Sequence, residues 1–268
     1  MLLSLDGRRI AYDLLGSDEV PVVCFTHSLA ADGGMWAEQV PVLLAMGWRV
    51  LRLDMRGHGG SDPVAGPYSM SALAGDVAGA LDVLGIKRVH FVGLSIGGML
   101  GQAFALEHPE RLISAVWCDT RPSTPTEGAG AWAERIATVE KAGSLAPLAD
   151  ATVERWFTDA FRPRNPARWT QIRDTVAATT PAGYIGCCRA IMDFDFTPRL
   201  SAVKAPVLVL CGAEDIGTPP AENRRIAAAV TQGQYEEIAD ARHFPNVEHP
   251  DVFNHHLVGW LDSKRHLS

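Results

Sequence analysis

The chain has 268 residues, 47% of them hydrophobic and 21% charged, which is enough for a large buried core and unlike a disordered polymer. A formal net charge of -7, with no run of Lys or Arg, excludes a broad cationic face for nucleic acid. No segment approaches the roughly 20 apolar residues of a membrane span, and the start Met1-Leu2-Leu3-Ser4-Leu5 is too short and carries its charges on the wrong side for a signal peptide.

Leu2 to Leu5 and Arg9 to Leu15 flank Asp6-Gly7 and read as a hairpin, because Asp-Gly supplies the positive φ angles a tight turn needs. Short apolar runs then alternate with helix-length amphipathic stretches. The runs Val20–Phe25, Arg49–Leu53, Val89–Val92, Leu112–Trp117, Val207–Cys211 and Tyr235–Ile238 predict strands, and the first five are apolar nearly throughout, as strands covered on both faces are. Helices are expected over Met35–Ala45, Met70–Leu84, Gly97–His108, Ala221–Ala229 and Pro250–Leu261. Such alternation predicts an α/β fold with a mostly parallel central sheet flanked by helices. Between Asp119 and Lys204 the rhythm breaks into helical stretches (Trp132–Ala142, Ala149–Phe161, Arg168–Thr179, Tyr184–Phe194) without a strand. A connection of that length predicts a helical cap, residues 121–199, inserted after the sixth strand into a core of residues 1–120 and 200–268. The five cysteines are odd in number and have no zinc spacing, so they read as reduced, mostly buried thiols in a cytoplasmic protein.

Gly93-Leu94-Ser95-Ile96-Gly97 joins a predicted strand to a predicted helix, a G-x-S-x-G elbow. Glycines two positions either side let strand and helix approach, and the helix N-terminus favours negative charge beside the serine. Ser95 is the expected nucleophile. A hydroxyl needs a base to remove its proton, and of nine histidines His243 lies on the loop between the last strand and the last helix. The acid that orients it is read as Asp215, just past Val207–Cys211, with Glu214 and Asp119 as rivals. Backbone N–H groups of Ile96 and Leu29, with Ser28 the alternative to Leu29, are expected to form the oxyanion hole, and His27 to orient that loop. The turn Asp54–Asp62 reads as structural, with Asp54 and Arg56 pairing to brace it. Of the aromatics in 121–199, Trp132, Trp156 and Tyr184 are candidate pocket walls, Phe157 and Trp169 share the same even odds of packing, and Arg121 or an arginine of the cap is a candidate partner for a substrate carboxylate. No metal set or cofactor motif is visible.

Together these residues resemble the α/β-hydrolase superfamily and, within it, the 3-oxoadipate enol-lactonases. The likeness is carried by Ser28-Leu29 with Met35-Trp36-Ala37, by Arg56-Gly57-His58-Gly59 and Gly93 to Met99, by Glu154-Arg155-Trp156-Phe157-Thr158 and Gly183 to Ile191, and by Thr218-Pro219-Pro220 and His243 to Glu248. The resemblance implies cofactor-free hydrolysis of a small carboxylate-bearing enol-lactone in aromatic-compound catabolism. Two stretches depart from it: Cys118-Asp119-Thr120-Arg121-Pro122 stands where such lactonases tend to read Cys-Asn-Thr and small residues, and Pro245 stands where serine is usual. Asp119 is expected to add negative charge near the pocket mouth. The sequence thus predicts a serine hydrolase of carboxylic esters or lactones acting on a small molecule, with no nucleic-acid or membrane partner and with a homo-oligomer left open. A general carboxylesterase or a cofactor-free perhydrolase is the alternative enzyme, and a ligand-binding module of the same fold is the non-enzyme alternative.

Overall fold

The computed structural model describes residues 1–125 and 129–268. It opens with the expected hairpin: β1 (Leu2–Leu5) pairs antiparallel with β2 (Arg8–Leu15), and Asp6 and Gly7 both take positive φ in the turn. β3 (Val22–Thr26), β4 (Arg49–Leu53), β5 (Val89–Leu94), β6 (Leu112–Cys118), β7 (Val207–Gly212) and β8 (Gly233–Ile238) complete one eight-stranded sheet in the order β1-β2-β4-β3-β5-β6-β7-β8. β2 runs antiparallel to β4, and every later pairing is parallel. β3, β5, β6 and β7 are buried along their whole length, so helices must cover both faces. The covering helices of the core are α1 (Val40–Ala45), α2 (Met70–Val83) and α3 (Ile96–Glu107) before the interruption.

Within the interruption lie α4 (Ala129–Ala142), α5 (Ala146–Trp156), α6 (Phe161–Arg164), α7 (Pro166–Ala178) and α8 (Pro181–Met192) and, among the described residues, no strand of the sheet. Residues 126–128 of the expected insertion lie outside the described residues. After β7 come α9 (Pro220–Ala229), α10 (Pro245–Glu248) and α11 (Pro250–Lys264). Pro166, Pro181, Pro220, Pro245 and Pro250 each open a helix, where a missing N–H costs nothing.

Two expected helices divide. Met35–Ala45 becomes a short 3₁₀ turn (Gly33–Trp36), capped by Asp32 accepting from the Gly34 N–H, followed by α1, which restarts with Pro41 in its first turn. Ala149–Phe161 breaks because Phe157 is extended, which separates α5 from α6.

The two ends of the helical interruption meet. Ser123 bridges antiparallel to Asp195, and the Phe196 N–H donates to the Pro122 carbonyl at 2.8 Å. A second anchor is glycine on glycine: a Cβ on Gly183 would stand 2.6 Å from the Gly57 carbonyl oxygen, and the Thr180 hydroxyl donates to that same carbonyl at 2.8 Å. The turn carrying Gly57 is braced differently from the expectation. Arg56 pairs with Asp76 on α2, not with Asp54, whose oxygens are taken by the N–H groups of Gly33 (2.8 Å) and Gly60 (2.9 Å). Its carboxylate closes the turn directly, leaving the guanidinium free to reach another element.

Candidate active site

The carboxyl ends of β3, β5, β6, β7 and β8 converge on one pocket. Ser95 is the single residue between β5 and α3, at φ 58° and ψ -118°. A side chain in that region is strained, and the neighbours hold it there: the Ser95 N–H donates to the Cys118 carbonyl (2.9 Å), and the Thr120 hydroxyl donates to the Ser95 carbonyl (2.8 Å). Gly93 and Gly97 are required by space. A Cβ on Gly93 would overlap the Gly97 carbonyl, and one on Gly97 would stand 2.6 Å from the Thr26 carbonyl oxygen. The Ser95 hydroxyl has no hydrogen-bond partner among the described residues and lines the pocket.

His243 lines the same pocket. Its Nδ1 donates to Asp215 Oδ2 at 2.7 Å, and among the described residues its Nε2 is unpartnered. Asp215 is almost saturated as an acceptor, taking also the N–H groups of Gly217 (2.8 Å) and Thr218 (3.1 Å) and the Thr218 hydroxyl (2.6 Å). Burial pushes this carboxyl up, but the His243 charge and the hydrogen bonds from His243 and Thr218 outweigh burial and hold it down at about 2. It is therefore ionised at neutral pH and fixes the imidazole tautomer with the proton on Nδ1. Thr218, named from sequence only within the family likeness and given no role, is the bracket between the two; an acid followed three residues later by Thr in a tight loop was the available signal.

The rivals separate cleanly. Glu214 is exposed and lies outside the pocket lining. Asp119 is fully buried behind Asp215, with Oδ1 accepting from the Gly212 N–H at 2.8 Å. Burial, reinforced by the Asp215 charge, raises it well above the ordinary carboxylate range. It lies outside the pocket lining, so it does not stand near the pocket mouth as expected from sequence. Asp119, Asp215 and His243 also form the one cluster of potential metal-ligand atoms among the described residues, all within 4.8 Å of one another. With Asp215 already accepting from Gly217, Thr218 and His243, and Asp119 from the Gly212 N–H, this donor set suits a hydrogen-bonded acid and imidazole better than a cation.

In the loop after β3 the Ser28 N–H is engaged, donating to the Met35 sulfur at 3.3 Å. Leu29 and Ile96 have backbone N–H groups without partners among the described residues, next to Ser95. His27 holds this loop in place. Its Nδ1 donates to the Ser28 carbonyl (2.7 Å), and its Nε2 accepts from the Met55 N–H (2.8 Å). Burial lowers His27 to about 4 and the neighbouring His58, 5.2 Å away ring to ring, to about 3, so both are neutral.

The pocket measures about 290 Å³. Its wall from the inserted helices includes Trp132, Trp156, Tyr184 and Ile191, and Arg121, Arg135 and Arg155 stand among them. Phe157 and Trp169 do not line it: Phe157 stacks on Phe161 and Trp169 carries Arg162 over its ring, so they pack the insertion. Sequence reasoning expected an arginine of the cap without choosing one; Arg135, three residues from the predicted wall residue Trp132 and so on its helix face, was the more legible of the two.

One further linkage ties the insertion to the histidine. Trp156 stacks on Phe244, ring centroids 4.3 Å apart, and the Phe244 N–H donates to the Trp156 carbonyl at 3.2 Å. Glu248 bridges both sides: one oxygen takes the Thr158 N–H (2.9 Å) and hydroxyl, the other the Arg242 N–H (3.1 Å). The residues either side of His243 are thus clamped to the end of α5.

A sheet of this order, with a positive-φ serine between β5 and α3 and an acid and a histidine on the later strand ends, defines an α/β-hydrolase. A family model described as the alpha/beta hydrolase fold matches residues 21–250, and the chain belongs to that family. It is similar to 3-oxoadipate enol-lactonase 2 of Acinetobacter baylyi, 33% identical over 94% of this chain and 93% of that protein. Among solved structures it is similar to the enol-lactonase from Burkholderia xenovorans (TM-score 0.93, 36% identity, 98% of this chain and 100% of that one) and to a malate-bound esterase from Thermogutta terrifontis (TM-score 0.90, 28% identity, 98% and 97%). The chain is a hydrolase. Among the described residues no helix is long and apolar enough to cross a membrane.

Proposed function

We propose that the protein hydrolyses a small lactone bearing a carboxylate, with Ser95 as nucleophile, His243 as base and Asp215 as the orienting acid. The observation that carries this is the His243–Asp215 bond of 2.7 Å beside a strained, unpartnered Ser95 hydroxyl in one pocket. His243 Nε2 takes the hydroxyl proton as Oγ bonds to the lactone carbonyl carbon. The resulting oxyanion accepts from the Leu29 and Ile96 N–H groups. The ring C–O bond then breaks, the departing oxygen takes the proton from His243, and the opened chain remains on Ser95 as an ester. Water, deprotonated by the same imidazole, releases the acid and restores the hydroxyl.

Residues 121–199 act in this scheme as the cap and residues 1–120 and 200–268 as the catalytic core. The enol-lactonase relatives support a lactone substrate, and the arginines of the pocket wall support its carboxylate. A general esterase is the second reading, favoured by the apolar wall of Met99, Trp132, Trp156 and Ile191, which suits a neutral acyl chain equally well.

The test compares a free-acid lactone with its methyl ester. One charge-assisted contact at a partly buried site contributes about 1.5–3 kcal/mol, so the acid should be preferred roughly 10- to 150-fold in kcat/KM. Equal values for acid and ester would replace the lactonase by a general esterase.

A further inference from the structure

Three guanidinium groups line a pocket of about 290 Å³ whose one lining carboxylate among the described residues, Asp215, is held by His243, Thr218 and Gly217. Most other arginines of the chain sit in ion pairs, but among the described residues Arg121, Arg135 and Arg155 have none. Arg155 reaches the Thr152 hydroxyl at 3.4 Å, and Arg135 lies over the Trp132 ring at 4.8 Å. Arg121 donates through Nη2 to the Gly217 carbonyl at 3.2 Å, and its Nε is buried without a partner. Cations half out of water and lacking counter-charges are costly unless an anion completes them.

These charges form two centres. Arg135 and Arg155 belong to α4 and α5, and the charge of Arg135 acts on Arg155. Arg121 belongs to the core, on the loop after β6, and its backbone is fixed by Gln102 donating to the Arg121 carbonyl at 3.0 Å. The acids whose fields reach Arg121 are Glu222 and Asp215. Glu222 is committed to Arg225 at 2.9 Å, and Asp215 to the imidazole. One carboxylate can satisfy one centre, bidentately, and leaves the other bare.

We propose that the substrate carries two carboxylates, one bound by Arg135 and Arg155 of the cap and the other by Arg121 of the core, with the scissile carbonyl held between them at Ser95. This rests on the reading of the pocket as a lactonase site. It assigns Arg121, which stands where the resembling lactonases have small residues, to selection between lactones with one and with two carboxylates.

The experiment measures kcat/KM for four γ-lactones: one with a methyl acetate side chain, the same lactone with a free acetate side chain, and two isomers of that acid bearing a second carboxylate at either free ring carbon. The wild type should prefer one dicarboxylate isomer over the monocarboxylate by roughly 10-fold or more. Arg121→Gln should erase that step and keep the monocarboxylate-to-ester ratio, Arg121→Lys should restore part of it, and Arg155→Gln should lower the monocarboxylate-to-ester ratio instead. Ratios within one variant do not depend on how much of it is folded. If neither isomer outruns the monocarboxylate, or if Arg121→Gln slows all four lactones equally, Arg121 is only a brace for the Gly217 loop and the proposal falls. If the monocarboxylate itself is no better than its ester, it is the lactonase reading that fails.

Discussion

The two halves of the pocket are built by different means. On the core side backbone does the placing: Ser95 is pinned by carbonyls and a threonine hydroxyl, Gly93 and Gly97 admit no Cβ, and the candidate oxyanion donors are main-chain N–H groups. On the side of the inserted helices, side chains build the wall, and Trp132, Trp156, Tyr184, Arg135 and Arg155 project from helices whose own backbone is satisfied internally. A backbone-built site tolerates almost no substitution, whereas a side-chain wall can be altered residue by residue without disturbing the fold. Chemistry should therefore fail uniformly when the first half is damaged, and substrate ranking should shift when the second is.

Ser95→Ala gives the largest effect. Loss of the nucleophile should reduce kcat by roughly 10⁶ for every substrate while the thermal midpoint stays close to that of the parent, since the elbow's glycines remain. A substrate still turned over at appreciable rate would end the contrast, because some other group would be the nucleophile. Asp215→Asn should cost roughly 10⁴ in kcat by favouring the wrong imidazole tautomer. Asp119→Asn should cost far less, because the amide is nearly isosteric, its oxygen can still accept from the Gly212 N–H, and the His243–Asp215 pair is left in place. The reverse order, read from the same steady-state assay, would move the acid to the end of β6.

Glu248→Ala sharpens the comparison at the seam between the halves. It unties Arg242 from Thr158 and lets the His243 loop drift, so kcat should fall about 10- to 100-fold with a smaller change in KM, and Glu248→Gln should recover part of the loss. An equal fall in affinity alone would place Glu248 with the wall instead. Trp132→Ala should raise KM for apolar esters about tenfold and leave kcat nearly intact.

The smallest effect is on stability in acid. His27 and His58 have native pKa values of about 4 and about 3, below the ordinary 6.5. Between pH 6.5 and 4 the unfolded chain binds more protons than the folded one, so stability is full above pH 6.5 and falls as pH drops, by about 1.4 kcal/mol per pH unit for each imidazole. His90, lowered by burial to about 4, adds to the slope in the same window, and denaturant melts at pH 7 and pH 5 should show it reduced by one imidazole's share in His58→Gln.

The same division explains what could be read from the chain. β4 begins and ends where its apolar run does, and the elbow, Asp215 and His243 are local signals: glycine spacing, a strand end, a loop before a helix. The difference between the Ser28 and Leu29 N–H groups was not legible in the sequence, because the partner of Ser28 is a methionine sulfur seven residues away. Arg56 finding Asp76, the burial of Asp119, and the arrival of Arg135 and Arg155 in the pocket of Ser95 all depend on elements brought together only by tertiary packing. The broken helix at Phe157 was hidden for a related reason: it lets the end of α5 dock on Phe244, a demand that helix propensity does not register.

The bridge between Ser123 and Asp195 makes the inserted helices a closed excursion from the sheet: the chain leaves and returns at nearly one point. The core therefore sees a short connection whatever lies beyond it, and the entropy of closing that connection changes only slowly with the length inserted. Such a segment is an exchangeable cassette. Lineages descending from this fold can trade one ligand preference for another by replacing the excursion wholesale, while the catalytic apparatus beneath it is inherited intact.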